Sequence, residues 1–511
     1  MNENKKKYPP VPASDFAFVG DEGRLHDKKL ETKPTSYYQD VLSRFTRNKS
    51  SVAAAFIILF LILYAILGPI LGDTTYARSL TDTTYLSYTK LPPKFAPLSW
   101  LGVNGYSKVT LNAATYQTLS AIAQETGLNP IVETYRESYT DPTANSNTTF
   151  YDVKVDDYLE LGMTYLTLTP AEFEALQAWQ DQTGIQVIYP AITDAKQPDA
   201  NIWYKTNRKG VPELNKEGNF TPIYRTTTPE DTAYHSLRIA GDTDPKKPYA
   251  YARITGTSTV KSYVTRISKY TYFQYRYGCE PAFIFGTNDR GQDIFTRLAM
   301  GARFSLLLAI CISAINLFIG AVYGAIEGYY GGAADLIMER ISDVLDGVPF
   351  IVVASLFQLH LAKKLGGAAS LLFAFILTGW IGMANRVRMQ FYRFKGQEYI
   401  LAARTMGARD ARLMFRHIFP NSLGTIITGS VLVIPGVIFS ESMLSYLGII
   451  NLESSTMTSV GTMLAGGKAY LSTNPHIIFF PALFISLLMI SFNLFGNGLR
   501  DAFNPSLRGA E

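Results

Sequence analysis

Residues 398–421 read EYILAARTMGARDARLMFRHIFPN, and the placement of the rest of the chain follows from this stretch. With the residues just before it, it carries Arg386, Arg388, Arg393, Lys395, Arg404, Arg409, Arg412 and Arg416 against Glu398 and Asp410. Two short helices fit the pattern, broken at Gly407, where a residue without a Cβ lets the backbone turn sharply. Arg409, Arg412 and Arg416 fall at i, i+3 and i+7, which is one helical face. Phe415, Ile418 and Phe419 supply apolar bulk, and Pro420 stands where a following helix would begin. A basic amphipathic hairpin of this kind either docks into a groove on a partner or rests on anionic lipid.

Its flanks are apolar on both sides. Segments 369–387 and 422–447 enclose it, 476–494 follows, and 304–326 and 344–361 precede. Far upstream, 52–71 (VAAAFIILFLILYAILGPIL) has no charge over 20 residues. At about 1.5 Å per residue, such a run crosses a hydrocarbon layer of roughly 30 Å. It begins too far into the chain, and is too long, for a secretory signal. Six membrane helices are therefore expected. Arg44, Arg47 and Lys49 precede the first helix, and the 386–421 segment lies between the fourth and fifth. Both excesses of positive charge mark the inner side, which an even number of spans makes consistent. Lys363 and Lys364, in an outer loop, run mildly against that rule.

Over the full 511 residues the chain is 47% hydrophobic and 17% charged, with a formal net charge of +5. Its mean hydropathy lies near zero, the average of two opposite kinds of sequence. An aromatic content of 13% and non-repetitive Gly and Pro exclude fibrous and disordered classes. The charge is too small to argue for nucleic acid. Residues 73–284 hold most of the 32 tyrosines and no window able to span, so they form a separate α+β domain facing outward. Thr169, Pro170 and Glu172 make a capping box with Pro at the first helical position, and Gly184 offers the stop. Residues 185–192 are expected to be a strand, and 249–277 two or three more. A short helix over 37–45 leads into the membrane. Cys279 and Cys311 are expected as buried small hydrophobes without a mutual bond.

Catalytic signatures are missing. Five scattered histidines have no metal-ligand spacing, and neither a nucleophile elbow nor a dinucleotide fingerprint occurs. Residues 461–469 approach a phosphate loop but lack its lysine and hydroxyl in register. Gly320, Gly324 and Gly328 have small-xxx-small spacing, suited to close packing within the subunit or against a partner. Glu441, between Ser440 and Ser442 inside a span, either lines a pathway or locks the bundle through hydrogen bonds. Asp343 and Asp346, before Pro349, fit capping or pairing roles.

The 398–421 stretch resembles the EAA loop of ABC importer permeases: Ala402 and Ala403, Gly407 four residues on, and Pro420 further down. Leu401 stands where the namesake glutamate is common. FGTNDRGQD at 285–293, GARFS at 301–305, GYYGG at 328–332, GLRD at 498–501 and the RHIFPN ending of the loop resemble the oligopeptide and dipeptide branch, in its C-type subunit. Gln292 and Asn497 depart from that pattern. The resemblance covers about 40–72 and 284–508 and implies a membrane all-α type I importer permease with an inserted extracellular α+β domain. The implied division is a cytoplasmic tail at 1–49, a first helix at 50–72, the outer domain at 73–284, a five-helix permease core at 285–500 with its coupling loop at 388–421, and a tail at 501–511.

It also implies the partners: a second permease, two ATP-binding subunits, a peptide-binding lipoprotein outside, the peptide and the lipid bilayer of a bacterial plasma membrane, with no nucleic acid. ATP and Mg would sit on the ATPases, and this chain would hold no cofactor or metal and be no enzyme. Coupling would rest on Glu398, Ala402, Ala403, Gly407, Arg409, Arg412 and Pro420, and pathway or interface roles on Glu441, Gly320 and Gly324. The rivals are a permease for nickel chelates or another small solute, and, from a different class, a cell-surface or wall-binding receptor. Short inner segments leave a receptor no room for a signalling domain.

Overall fold

The computed structural model describes residues 37–76, 88–140, 149–193, 199–208, 210–227, 233–235, 249–257, 260–453 and 457–503. Most of the expected N-terminal tail and most of the C-terminal one lie outside these residues. Helix α1 (Tyr37–Arg47) is amphipathic and leads into α2 (Lys49–Tyr76), whose apolar part reaches Leu71. Val41 is buried and Leu42 exposed on α1, and Phe45 meets Phe495 edge-on at the far end of the chain.

The inserted domain, outer in the expected topology, follows as β1 (Tyr106–Asn112), α3 (Ala113–Thr126), β2 (Ile131–Thr140), β3 (Thr149–Asp156), β4 (Met163–Leu168), α4 (Pro170–Thr183), β5 (Ile188–Tyr189), β6 (Tyr234–His235), β7 (Ala252–Gly256), β8 (Lys261–Ser268) and α5 (Lys269–Tyr277). One antiparallel sheet has the order β1-β3-β2, with Val109 opposite Val153. The other has the order β4-β8-β7-β6, with β5 added to β8. The capping box of α4 forms as its residues require, Thr169 and Glu172 bonding reciprocally. The two sheets are tied by Arg266 of β8, whose guanidinium makes two 2.6 Å bonds to Glu125 of α3 and a third to the carbonyl of Ala200. Tyr224 donates to the same carboxylate at 2.7 Å.

Two expectations for this domain change. Of the strand expected at 185–192 only Ile188–Tyr189 pairs in a sheet: the side-chain oxygen of Gln180 takes the amide proton of Val187 before it, and Pro190 after it has none to give. The last part of 249–277 is helical rather than extended. The Ser268 side chain caps α5 at the amide of Thr271, and Gly278 (φ +67°) ends it.

The domain is entered and left at one point. The amide of Thr287 bonds the carbonyl of Leu91 at 2.9 Å, and the Thr287 hydroxyl accepts from the Leu91 amide while donating to the carbonyl of Tyr88. An inserted domain needs this closure, since its host must keep its own path.

The membrane part resumes with α6 (Ile294–Tyr330), α7 (Gly332–Asp346), α8 (Phe350–Leu365), α9 (Gly367–Thr378), α10 (Ile381–Lys395), α11 (Glu398–Thr405) and α12 (Asp410–Arg412). A π-helical turn (Leu413–Ile418), α13 (Phe419–Val431), α14 (Val433–Tyr446), α15 (Val460–Gly467) and α16 (His476–Phe503) complete it. Among the described residues five helical stretches are long and apolar enough to cross a membrane: Lys49–Leu71, Ile294–Tyr330, Gly367–Lys395, Asp410–Tyr446 and His476–Phe503. The bent pair α7 and α8 makes a sixth. The expected span 344–361 is not one straight helix, since the pair bends by 71° across residues 347–349, where Pro349 has no amide proton to continue α7. The core of the bundle is apolar, with Leu61, Leu298, Leu306, Leu371, Val437 and Leu488 all buried in it.

At 37 residues α6 is about 55 Å long, well beyond a hydrocarbon layer of about 30 Å. One rigid rod thus joins the base of the outer domain to the loop at the opposite end. The cysteines differ from expectation: Cys279 is only half-buried, and Cys311 is exposed on α6, where the surrounding apolar face is suited to lipid; neither forms a disulfide.

Candidate functional site

The loop between α10 and α13 has a buried face and an exposed one. Ile400, Ala403, Leu413, Met414 and Ile418 are buried against Ala321, Ala325 and Tyr329 of α6 and Met383, Val387 and Phe391 of α10. On the other side Met406 is 82% and Phe415 62% exposed, with Tyr399, Leu401 and Ala402 also outward. Glu398, Arg409, Arg412 and Pro420 are exposed as well. Exposed apolar side chains thus lie beside cations on one face of the loop, while the opposite face packs on the bundle.

Gly407 sits at the corner between α11 and α12 with φ +84°, a conformation that costs other L-residues about 1–2 kcal/mol. A Cβ there would meet nothing within 4 Å, so only the backbone requires glycine. The second half of the expected hairpin is not a short separate helix. It runs through the π turn directly into α13, so that Asp410–Tyr446 is one continuous element with Pro420 as the second residue of α13.

One polar fastener holds the loop to the bundle, and a second ties α10, from which the loop departs, to α7. The Tyr329 hydroxyl, at the end of α6, donates to Asp410 and accepts from Arg404 at 3.1 Å, so both halves of the loop bond one side chain. Arg388 of α10 reaches α7, making paired bonds to Asp335 (2.6 and 3.0 Å) and to Glu339 (2.8 and 3.1 Å). The sequence reading did not single out Tyr329, Asp410, Arg404 or Arg388 for these roles. The signal was present in GYYGG, where Gly331 (φ +65°) and Gly332 (φ +59°) end α6 just after the paired tyrosines.

The other motifs make close contacts within the bundle. Asp293 caps α6 by accepting from the Thr296 amide at 3.0 Å. A Cβ on Gly301 would lie 3.0 Å from the backbone at Ser459, and one on Gly498 would lie 2.0 Å from the hydroxyl of Ser51 on α2. Gly320, Gly324 and Gly328 face α10 of the same subunit: a Cβ at Gly324 would stand 2.1 Å from the carbonyl oxygen of Ala384. Glu441 is buried and accepts from the hydroxyls of Ser305 (3.1 Å), Ser445 (3.2 Å) and Ser459 (2.6 Å), joining α6, α14 and the start of α15. Residues 461–467 lie in α15 behind its own capping box and 468–469 in the 3-10 turn that follows, with no loop open to a phosphate. Among the described residues no cluster of three His, Cys, Asp or Glu could hold a metal.

Two family descriptions match the chain. Residues 36–93 fit the N-terminal TM domain of oligopeptide transport permease C, and residues 317–509 fit the binding-protein-dependent transport system inner membrane component. The outer domain falls between these two matches. The chain is 43% identical over 224 residues to the oligopeptide transport system permease protein OppC of Bacillus subtilis, covering 44% of this chain and 72% of that protein. To the dipeptide transport system permease protein DppC of the same organism it is 42% identical over 225 residues, covering 44% and 69%. To the glutathione transport system permease protein GsiD of Pectobacterium atrosepticum it is 35% identical over 240 residues, covering 46% and 78%. With its helical bundle, its motifs and these relatives, the chain belongs to the binding-protein-dependent transport permeases, in the C-type branch of the oligopeptide and dipeptide ABC importers.

Proposed function

We propose that this chain is one half of the translocation pathway of an ATP-driven peptide importer, and that it receives the stroke of separate ATPase subunits through residues 398–421. The observation that carries the reading is the two-faced loop: a buried apolar underside fixed to α6 and α10, and an exposed surface of Met406, Phe415 and arginines that is uncovered among the described residues. A push on that surface is transmitted through Tyr329 into α6 and through α13 into the bundle, because each link is a packed or hydrogen-bonded contact rather than a flexible tether. ATP and Mg belong to the ATPases in this proposal; this chain supplies no catalytic group and no cofactor site. A second permease completes the pathway, and alternating access at their junction moves the cargo.

The loop faces the cytoplasm, as its excess of arginine suggests, so both chain ends lie inside and the α+β domain outside. There it stands where an external binding protein delivers peptide. The names of the similar permeases favour peptides over nickel chelates or other solutes as cargo. In proteoliposomes holding the complete importer, Gly407→Val should keep ATP hydrolysis while abolishing peptide uptake, because a β-branched residue resists φ +84°. Gly407→Asn, which tolerates that conformation, should retain uptake. Wild-type uptake by the valine variant would overturn the proposal.

A further inference from the structure

At the loop end of the bundle a cavity of about 340 Å³ opens between α10, α13 and α16. Its charged lining consists of Arg386 and Arg393 of α10 and Arg500 of α16, with Thr425 and Thr428 of α13 as hydroxyl-bearing neighbours and Phe503 at its edge. Among the described residues no carboxylate lines it and none of the three arginines is in an ion pair. Three guanidinium groups at one concavity without counter-charge repel one another, and an anion removes that penalty.

The cavity is built rather than accidental. Arg386 and Arg393 are seven residues apart and so share one face of α10. The Arg386 guanidinium is held across the gap by donating to the carbonyl of Gly429 at 3.2 Å. A Cβ on Gly429 would stand 2.6 Å from the same guanidinium, and one on Gly424 would stand 3.0 Å from the Phe503 Cβ, so both glycines of α13 keep the cleft open.

Depth selects the ligand. From His476 to Arg500 the helix rises about 36 Å, more than the roughly 30 Å of hydrocarbon. With His476 tied to the base of the outer domain through Thr287, Arg500 reaches the opposite headgroup layer. Planar guanidiniums suit a phosphate oxygen pair, and Phe503 gives an acyl chain an apolar wall.

We infer that this cavity binds the phosphate of an anionic phospholipid at the loop face of the membrane. The shared chemistry is a phosphate group; a soluble phosphate is the other source, which the test separates. The complete importer is purified and examined by native mass spectrometry after titration with dioleoylphosphatidylglycerol, dioleoylphosphatidylcholine or inorganic phosphate. The wild type should retain one phosphatidylglycerol in preference to phosphatidylcholine. Arg386→Gln together with Arg500→Gln should weaken that retention by roughly tenfold or more. Arg386→Lys with Arg500→Lys keeps the charge, should restore part of the retention, and controls for misfolding. Inorganic phosphate that binds the wild type, fails to bind the glutamine variant and displaces the lipid would support the phosphate site but assign it to a soluble source. Equal retention of both lipids by wild type and variant, with no arginine-dependent phosphate binding, would overturn the inference.

Discussion

Between α6 and α10 the two backbones approach until a Cβ at Gly324 would stand 2.1 Å from the carbonyl of Ala384, and no side chain separates them. Between α3 and β8 of the outer domain the junction is spanned instead by a full-length guanidinium and carboxylate, with Tyr224 and the Ala200 carbonyl filling the remaining bonding positions. The difference follows from the solvent each region folds in. Lipid gives apolar side chains no reason to prefer one another over acyl chains, so membrane helices gain cohesion by close fit and short hydrogen bonds. Water supplies a hydrophobic drive to the outer domain, which can then include a long charged pair if every atom of it is satisfied.

The sharpest break of this comparison is Arg266→Ala. It strands Glu125 inside the outer domain, at a cost of about 3–5 kcal/mol for a buried partner left alone. Limited proteolysis should then cut the outer domain while the bundle keeps its helicity in detergent. Simultaneous loss of the bundle would show that the two regions are not energetically separate. Gly324→Leu should act the other way, lowering the yield of folded permease by overpacking of about 1–3 kcal/mol or more while the outer domain stays resistant to protease. Glu441→Leu leaves three serine hydroxyls without an acceptor and should cost about 1–3 kcal/mol for each group left unsatisfied, whereas Glu441→Gln keeps an acceptor and should lose less. Thermal unfolding of the purified complex reads the order of the two.

The smallest effect concerns pH. Burial, opposed by a 2.7 Å bond from Ser107 and assisted by Glu160 and Asp156, pushes the Asp157 carboxyl up to about 7. A carboxyl that holds its proton longer in the folded state than in the unfolded chain stabilises the fold most at acid pH. That stability falls as pH rises from about 4 towards 7 and changes little beyond. Asp157→Asn should flatten this slope in the melting of the outer domain and leave the bundle unaffected; an unchanged slope would remove Asp157 as its source.

Much of the bundle was legible because a membrane span announces itself by length alone: 52–71 needed no neighbour to be recognised. Shape within the spans was less so. Pro349 lay inside an apolar run whose average concealed a 71° bend. The outer domain was readable where a local device decides, as at Thr169 and Glu172. It was misleading where the tyrosines of 249–277 suggested strands and a Ser268 cap with Gly278 imposed a helix. In the loop, Gly407 and Pro420 were visible as punctuation, whereas the Tyr329 contact to Asp410 links residues 81 apart and has no local signature.

The most direct measurement is cross-linking in the assembled importer, in a chain with Cys279→Ala and Cys311→Ala. A cysteine at the exposed position Phe415 should cross-link to an ATPase subunit, and one at Leu413, buried on the underside of the same loop, should not. Under the proposed coupling, cross-linking should also respond to ATP. Absence of any Phe415→Cys adduct from a complex that retains its ATPases would contradict the coupling role of residues 398–421.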